Sequence, residues 1–332
     1  MRAVSRYLTS LMCGLTLMTM SSVPAWAGHD PGSLVVFGDS LSDPGNFFIA
    51  FGETSQPPFS PVPDAPYDIG PGYHFTDGRT WVERLAVQLD TPFSGLPALA
   101  RRGEFTNYAV GRARARPDAP AFAAYDLSTQ VGLYLADFHG HATSNAIYVI
   151  WIGANDLDDA LQALASDPTG ASSAAIVQTA IETVVANVQA LWSAGARTFM
   201  VPNLPDLGET PAVSALGPSA VGAASQLTGL YNAGLQQALS QLRVLPQIHL
   251  VQFDVNSLLD QVIAHPQAFG LDDVVDACLT FFTTENPICA HPRHYLFWDG
   301  IHPTVAGHGI LQVAAQKLIE CDGEPQTGRC GN

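Results

Sequence analysis

Short apolar runs alternate with longer amphipathic segments along the chain. The apolar runs predict β-strands at residues 33–37, 146–152, 197–201 and 248–253. Apolar residues occupy both alternating positions of these runs, which is typical of strands covered on both faces. The longer segments predict α-helices at residues 79–89, 173–194, 219–243, 255–264 and 304–319. This alternation indicates an α/β fold in which parallel strands are joined by helices.

The remaining stretches do not divide the chain into domains. Residues 56–72, QPPFSPVPDAPYDIGPG, are proline-rich, and we interpret them as a stiff exposed loop near a substrate cleft. Asp77-Gly78, within residues 74–81, predicts a turn, and the acidic run at 155–160 predicts the solvated start of a helix. No internal repeat or linker separates these segments. We therefore expect residues 28–332 to form one domain.

The N-terminus has the pattern of an export signal, which we place at residues 1–27. A positively charged start precedes an apolar run at residues 8–20, and small side chains at residues 25–27 suit a cleavage site. We expect cleavage near Ala27 and a mature protein that is secreted or periplasmic. A retained N-terminal anchor is the alternative. The apolar run is short and contains Thr and Ser, so no stable membrane insertion is expected.

The cysteines agree with export. Cys13 leaves with the signal, and the proximity of the others along the chain favours two local disulfides, Cys278–Cys289 and Cys321–Cys330. Four cysteines allow three pairings, so the connectivity stays open at this point. A zinc site is the alternative, but the chain has no C-x-x-C or Cys/His pair at ligand spacing. We therefore expect no metal.

The chain is strongly acidic. It has 30 Asp and Glu residues against 14 Lys and Arg residues, and its net charge of −16 at pH 7 becomes more negative when Arg2 and Arg6 leave with the signal. Such a surface repels nucleic acids and anionic bilayers at long range. We expect no nucleic-acid partner, and a neutral or zwitterionic substrate. A role of the acidic surface in solubility alone is an equally good explanation.

Polar residues with catalytic chemistry follow the predicted strands. Residues 38–40 (Gly-Asp-Ser) follow the first strand, residues 153–156 (Gly-Ala-Asn-Asp) follow the second, and Asp299 lies three positions before His302. In open α/β sheets, ligands bind beyond the carboxyl ends of the strands. A serine hydroxyl becomes a nucleophile when a histidine takes its proton and an acid orients that histidine. Ser40, His302 and Asp299 are the candidates for these roles.

A tetrahedral intermediate also needs donors for its oxyanion. The side chain of Asn155 and the backbone N–H groups of Ser40 and Gly111 are the candidates for this oxyanion hole. Each residue also has a structural interpretation. Ser40 and Asn155 suit helix caps, Asp299 suits a turn, and a single histidine is often a satisfied loop residue. Their joint occurrence at strand ends favours the catalytic interpretation.

Four segments of the chain resemble the sequence blocks of the GDSL, or SGNH, esterases and lipases. These segments are FGDSLSDPGN at 37–46, NYAVGRA at 107–113, IGAND at 152–156 and DGIHPT at 299–304. The resemblance implies a flavodoxin-like three-layer α/β/α fold with a mainly parallel central sheet. It implies no cofactor and the hydrolysis of carboxylic esters through an acyl-enzyme on Ser40. It assigns the base to His302, its orientation to Asp299, and the oxyanion donors to Ser40, a second-block glycine and Asn155.

The second block departs from the family pattern. The oxyanion glycine of the family lies five residues after the asparagine, and that position in this chain is Arg112. A positive φ there has a steric cost for a side chain other than glycine. Three alternatives stay open: Gly111 takes the role, the backbone N–H of Arg112 takes it, or the oxyanion hole is weaker.

The leading hypothesis is a secreted serine esterase or lipase acting on a small-molecule or lipid acyl ester, which includes phospholipids and lysophospholipids. One alternative is an acyltransferase that passes the acyl group to an alcohol. A second is a carbohydrate acetyl esterase, because the triad chemistry is the same and only the pocket differs. A third is a non-catalytic binding protein of the same fold. The sequence does not predict acyl-chain length, head group or oligomeric state.

Overall fold

A parallel β-sheet forms the centre of the structure. The computed structural model describes residues 33–69, 72–117 and 125–322. The strands of the central sheet are β1 (Ser33–Gly38), β2 (Ala146–Trp151), β3 (Thr198–Met200) and β4 (His249–Val251). They lie in chain order, and each neighbouring pair is parallel. Ser33 pairs with Ala146, and Gly38 pairs with Trp151. The strands therefore deliver the segments that follow them to one edge of the sheet.

A short extended segment continues the sheet beyond β1. The N–H of Val36 donates to the carbonyl of Thr106 (2.9 Å), and the N–H of Tyr108 donates to the carbonyl of Val36 (2.7 Å). Val110 N–H in turn donates to the carbonyl of Gly38 (3.2 Å). With this segment counted as the second strand of the chain, the spatial order is 2-1-3-4-5, the order of a flavodoxin-like sheet.

The helices enclose the sheet from two sides. Those of the described residues are α1 (Asn46–Phe51), α2 (Trp81–Gln88), α3 (Leu127–Asp137), α4 (Ala154–Ala163), α5 (Ala171–Ala194), α6 (Pro211–Ser214), α7 (Pro218–Leu242), α8 (Val255–Ala264) and α9 (Val305–Asp322). Helices α2 and α9 contact each other and the sheet, and α3, α4, α5 and α7 form a second contacting group. The result is the three-layer α/β/α arrangement that the resemblance implies.

Burial explains why the strand predictions are correct. All six residues of β2 are buried, and so are all residues of β1 except the first. Continuous apolar runs are stable as strands when helices cover both faces of the sheet. The predicted strands and helices are confirmed, with ends that differ by at most three residues. Helices α1, α3 and α6 and a second sheet have no counterpart among the predictions.

That second sheet is small and lies beside the C-terminal block. It pairs β5 (Asp273–Ala277) with β6 (Tyr295–Phe297) in parallel. Directly after these strands, the N–H of Leu279 donates to the carbonyl of Trp298 (3.0 Å). A disulfide joins Cys278 to Cys289, which is one of the two pairs expected from the sequence. The other expected pair, Cys321–Cys330, includes a residue outside the described ranges and stays a prediction.

Helix α5 is long and apolar enough to cross a membrane by length and composition alone. Its contacts are those of a core helix, because it packs against α3, α4 and α7. Val177, Val184 and Leu191 are buried on its inner face. Packing within the protein therefore accounts for its apolar character.

Candidate active site

Ser40 lies in a tight turn at the carboxyl end of β1. Asp39 shapes this turn with two hydrogen bonds. The Oδ1 of its side chain accepts from the N–H of Leu41 (3.0 Å), and its backbone carbonyl accepts from the N–H of Ser42 (3.1 Å). Such side-chain bonds to the next amides are typical of Asp in turns. Burial raises the pKa of Asp39 to about 7. Its Oδ2 has no hydrogen-bond partner among the described residues.

Ser40, His302 and Asp299 form a continuous chain of hydrogen bonds. The Oγ of Ser40 lies 2.8 Å from Nε2 of His302, and Nδ1 of His302 lies 2.7 Å from Oδ2 of Asp299. With the proton of the neutral imidazole on Nδ1, Nε2 accepts from the serine hydroxyl. Asp299 is fully buried and His302 is nearly so. The structure therefore brings the three predicted residues together in the geometry of a nucleophile, a base and an orienting acid.

Asp299 is itself held by further donors. Its Oδ1 accepts from the N–H groups of Ile301 (2.8 Å) and His302 (2.7 Å) in its own turn. Its Oδ2 accepts a hydrogen bond from the hydroxyl of Tyr67 (2.9 Å). Tyr67 belongs to the proline-rich segment 56–72, and it is fully buried. The interpretation of that segment as an exposed loop is wrong at this residue, because its aromatic ring packs behind the triad.

Residues 75–77 brace the C-terminal block from another side. The ring of Phe75 packs on the imidazole of His302, with 5.3 Å between their centroids. The hydroxyl of Thr76 donates to the carbonyl of Pro303 (2.7 Å), and Oδ1 of Asp77 accepts from the N–H of Val305 (2.6 Å) at the start of α9. This stretch is therefore more than the simple turn predicted for it, since Phe75 and Thr76 contact the block that carries His302 and Asp77 contacts the residue that follows that block.

Asn155 lies in the first turn of α4, directly after β2. Gly153 begins this turn with φ of 123°, and a Cβ there would lie 2.6 Å from the hydroxyl of Tyr231. Glycine is thus required both by the backbone and by the approach of that tyrosine. The Nδ2 of Asn155 donates to the carbonyl of Ala113 (3.0 Å), which fixes the amide beside the cavity that Ser40 also lines.

Gly111 does not supply the predicted oxyanion donor. Its N–H donates to the buried Oδ2 of Asp43 at 2.7 Å. This hydrogen bond contradicts the prediction, because the same N–H is not available to a substrate oxygen. The glycine has a packing role instead, since a Cβ there would lie 2.2 Å from the ring of Phe75.

Arg112 has a left-handed backbone conformation, which is the conformation expected of the glycine at this position of the family pattern. Its φ is 65°, in the left-handed region. Its side chain reaches the proline-rich segment, where Nη1 donates to the carbonyl of Asp64 (3.3 Å). The position therefore keeps the backbone shape expected at the second-block glycine and adds a long side chain that contacts a neighbouring loop.

Two of the acids that follow Asn155, Asp156 and Asp159, lie beside arginines. Asp156 is fully buried, and its carboxylate accepts from the backbone N–H groups of Ala115 (2.7 Å) and Arg116 (3.4 Å). Asp159 accepts from both Arg114 (2.8 Å) and Arg116. The expectation of a solvated helix start is wrong here, because these pairs hold the loop after Arg112 against α4. Burial raises the pKa of Asp156 to about 6.

A largely apolar cavity opens beside Ser40. Its volume is about 560 Å³. Ser40, His302 and Asn155 line one part of it. The apolar lining includes Leu161, Leu207, Leu258, Val262, Leu296 and Leu311. A volume of this size is in the usual range for small-molecule sites, and apolar walls favour an apolar ligand group.

The comparison with known families agrees with this geometry. The model of the GDSL-like Lipase/Acylhydrolase family matches residues 34–312, which include the turn at Ser40 and the block with His302. The chain belongs to this family. GDSL proteins with esterase and lipase names are among its relatives, and the protein is accordingly an ester-bond hydrolase by class.

The GDSL relatives differ in length and in the activities that their names state. Esterase EstA of Pseudomonas aeruginosa is 32% identical over 96% of this chain, and the chain spans 51% of that protein. GDSL esterase/lipase 5 of Arabidopsis thaliana is 26% identical over 91% of this chain and 88% of its own length. A phosphatidylcholine-sterol acyltransferase of Aeromonas hydrophila is 27% identical over 93% of this chain and 95% of its own length. Among solved structures, an acetylxylan esterase from Geobacillus stearothermophilus aligns with a TM-score of 0.46 and 14% identity, covering 90% of this chain and 100% of that chain.

Asp43, Tyr67 and Phe75 were not predicted as site residues. Asp43 lies inside the first sequence block, so its position offered a signal. Tyr67 and Phe75 offered none, because a tyrosine in a proline-rich stretch and a phenylalanine before a turn are common in exposed loops.

Proposed function

We propose that the protein hydrolyses carboxylic acyl esters through an acyl-enzyme on Ser40. The observation that carries the proposal is the hydrogen-bond chain from Ser40 through His302 to Asp299, which begins at the wall of the apolar cavity. A serine hydroxyl at hydrogen-bond distance from an imidazole, with a buried carboxylate behind it, is the arrangement that activates serine for acyl transfer.

In the proposed reaction, Oγ of Ser40 attacks the carbonyl carbon of the ester and its proton passes to Nε2 of His302. The carboxylate of Asp299 stabilises the imidazolium that forms. When the tetrahedral intermediate collapses, the bond to the leaving oxygen breaks, and His302 gives its proton to the departing alcohol. Water then attacks the acyl-enzyme in the same way and releases the acid and the free Ser40.

The oxyanion of the intermediate needs hydrogen-bond donors. We assign these to the backbone N–H groups of Ser40 and Arg112 and to Nδ2 of Asn155. The left-handed backbone of Arg112 supports its place in this set, and the bond from Asn155 to Ala113 supports a fixed amide orientation. In this assignment Arg112 replaces Gly111, whose N–H is bonded to Asp43.

The cavity supports an extended acyl group as the substrate part that it binds. Burial of apolar surface is worth about 25 cal/mol per Å², so each methylene of an acyl chain adds to binding in a pocket with apolar walls. An acetyl group would leave most of the 560 Å³ cavity unused. A lipid acyl ester therefore fits the site better than a carbohydrate acetate. The similarity to a phosphatidylcholine-sterol acyltransferase supports acyl transfer to an alcohol as the second candidate.

Export also belongs to the proposal. The disulfide between Cys278 and Cys289 supports folding in an oxidising compartment, which agrees with the predicted cleavage near Ala27. The chain is then a secreted or periplasmic enzyme whose acidic surface favours neutral or zwitterionic esters.

The experiment is an assay of the mature chain on p-nitrophenyl esters from acetyl to palmitoyl. The wild type should hydrolyse them, and Ser40→Ala should lose activity with an unchanged circular dichroism spectrum. Ser60→Ala is the matched control, because Ser60 lines the same cavity but its hydroxyl bonds to the carbonyl of Val62. Equal activity of Ser40→Ala and the wild type would contradict the proposal. A second assay uses phosphatidylcholine with and without an alcohol acceptor. A free fatty acid as the product indicates hydrolysis, and a new ester of the added alcohol indicates acyl transfer.

A further inference from the structure

Tyr67 and His302 donate to the same oxygen of Asp299. The hydroxyl of Tyr67 lies 2.9 Å from Oδ2, and Nδ1 of His302 lies 2.7 Å from it. The other oxygen, Oδ1, accepts two backbone N–H groups. An ionised carboxylate offers about four lone-pair sites. The four donors therefore occupy the whole accepting capacity of Asp299.

These donors differ in origin. The two backbone donors and His302 belong to residues 301 and 302, so they hold Asp299 within its own turn. Tyr67 is 232 residues away in sequence. It is the donor that ties the carboxylate to a separate part of the protein, and it opposes rotation of the carboxylate away from His302.

The ring of Tyr67 is fixed by its surroundings. It packs edge to face against Trp298, with 5.7 Å between centroids, and against Phe59 at 5.3 Å. The buried residues Cys278 and Leu279 belong to the same cluster, so the disulfide supports it. The backbone N–H of Tyr67 donates to the carbonyl of His74 (2.8 Å), next to the residues that brace His302. A phenol held on all sides in this way presents its hydroxyl in one direction.

We propose that Tyr67 is a positioning residue of the hydrolytic site, and that it acts through Asp299 by holding the carboxylate and drawing electron density from Oδ2. The inference rests on the proposed function. Tyr67 does not line the cavity beside Ser40. Its effect therefore falls on the chemical step and on the proton affinity of His302, and not on substrate binding.

The sign of the effect follows from electrostatics. A donor on Oδ2 makes the carboxylate a weaker partner for the imidazolium. Without that donor, the negative charge on Asp299 stabilises protonated His302 more strongly. Because the reaction needs neutral His302, the acid limb of the pH profile then moves to higher pH. Burial raises the pKa of the Tyr67 phenol far above its usual range, so it remains a donor across the whole assay range.

The test compares Tyr67→Phe with Tyr108→Phe in the full mature chain. Tyr108 is the matched control, because it is also buried and its hydroxyl donates to the carboxylate of Asp137 (2.7 Å) outside the site. For Tyr67→Phe on a short soluble ester, we expect kcat to fall about tenfold or more, as for the loss of a hydrogen bond to a charged group, with KM unchanged. We also expect the acid limb of kcat/KM to move up by about half a pH unit or more. Tyr108→Phe should keep the kcat and pH profile of the wild type.

Two further measurements separate positioning from general damage. In an Asp299→Ala background, adding Tyr67→Phe should cause no further loss of kcat/KM, because residues that act as a unit are not additive. If Tyr67→Phe does not fold, site-specific 3-fluorotyrosine at position 67 keeps the shape and makes the phenol a stronger donor. The acid limb should then move to lower pH, and an unchanged limb would overturn the proposal.

The outcomes distinguish the two proposals. If Tyr67→Phe keeps the kcat and pH profile of the wild type while Ser40→Ala is inactive, the proposed role of Tyr67 is wrong and the hydrolase function is still supported. Full activity in Ser40→Ala would overturn the proposed function itself, whatever Tyr67→Phe shows.

Discussion

The N–H of Gly111 donates a 2.7 Å hydrogen bond to the carboxylate of Asp43, and this bond joins the first and second sequence blocks. The same carboxylate accepts from the N–H groups of Gly45, Asn46 and Phe47 at the start of α1. One buried side chain thus holds a helix start and the peptide that precedes Arg112. Since Arg112 N–H is the proposed oxyanion donor, Asp43 sets the place of that donor.

Asp43→Asn should therefore impair catalysis as well as folding. The amide can accept with only one oxygen, so two of the four backbone N–H groups lose their acceptor. We expect kcat to fall about 10²-fold, which is the usual effect of losing one oxyanion donor. We expect the free energy of unfolding to fall by about 3 kcal/mol, because buried donors are left unsatisfied. Kinetics on a short ester and urea unfolding measure the two effects.

Asp254→Asn is the control for that variant. Asp254 caps α8 by accepting from the N–H of Ser257 (3.0 Å), at a helix start that carries no residue of the catalytic triad or of the proposed oxyanion hole. Asp254→Asn should have a lower free energy of unfolding than the wild type and an unchanged kcat. If Asp43→Asn also kept the kcat of the wild type, the proposed link between Asp43 and the oxyanion hole would be wrong.

Position 112 should be more stable as glycine than as alanine. A residue with a Cβ in the left-handed region destabilises the folded state by about 1–2 kcal/mol. Glycine avoids this strain, but its greater conformational freedom in the unfolded chain cancels about half of the gain in stability. Arg112→Gly and Arg112→Ala both remove the contact with Asp64, so their difference isolates the backbone strain. We expect the free energy of unfolding of Arg112→Gly to exceed that of Arg112→Ala by about 0.5–1 kcal/mol. Both keep the backbone N–H and should keep similar kcat values, and a large loss of kcat in Arg112→Gly alone would contradict this assignment.

The cavity should set the acyl-chain preference. Val262 on α8 is buried and lines it, so Val262→Phe should reduce kcat/KM for palmitoyl esters about tenfold or more relative to butanoyl esters. Val262→Ala should shift the preference toward longer chains. Val184→Ala removes the same carbons from the core outside the cavity and should leave the chain-length profile unchanged. An unchanged profile in Val262→Phe would show that the acyl chain binds elsewhere.

Asp39 should make the stability of the protein fall with rising pH. Burial raises its pKa in the folded state from 3.8 to about 7, so the folded protein binds more protons than the unfolded chain between those values. The free energy of unfolding should therefore fall across that window, by at most about 1.4 kcal/mol per pH unit from this group. Asp39→Asn lacks this contribution, so its stability relative to the wild type should rise between pH 4 and pH 7.

Urea unfolding at several pH values checks this, and the comparison with the wild type cancels the contribution of Asp43, which both proteins share. Asp260→Asn makes the same charge change at an exposed position of α8 and serves as the control. A stability difference between Asp39→Asn and the wild type that stays constant with pH would contradict the prediction.

The parts of the fold that could be predicted are those with a strong repeating pattern. Strands β1 and β2 are buried on both faces, so their apolar runs stand out in the sequence. Strand β5 is half exposed and reads DVVDA, which has no apolar run to detect. The extended segment around Tyr108 was missed for a related reason, because an isolated parallel bridge leaves no periodic signal.

The same distinction applies to the site. Ser40 and Asn155 follow predicted strands, and Asp299 and His302 are three residues apart, so local sequence was sufficient to propose them. The bonds from Gly111 to Asp43 and from Tyr67 to Asp299 span 68 and 232 residues. Which acceptor an amide or a phenol finds at such a distance depends on tertiary packing, which residue types alone do not reveal.

The hydrogen bond between Ser40 and His302 joins residues 262 positions apart. Under the proposed function, synthesis therefore produces the nucleophile Ser40 early and its base His302 late, and a chain that stops before the last block holds a serine with no group to activate it. In the proposed mechanism, hydrolytic activity is thus postponed until the block that carries His302 has been translated. Truncated products of this gene should be inert toward esters, even where their N-terminal strands and helices have already formed.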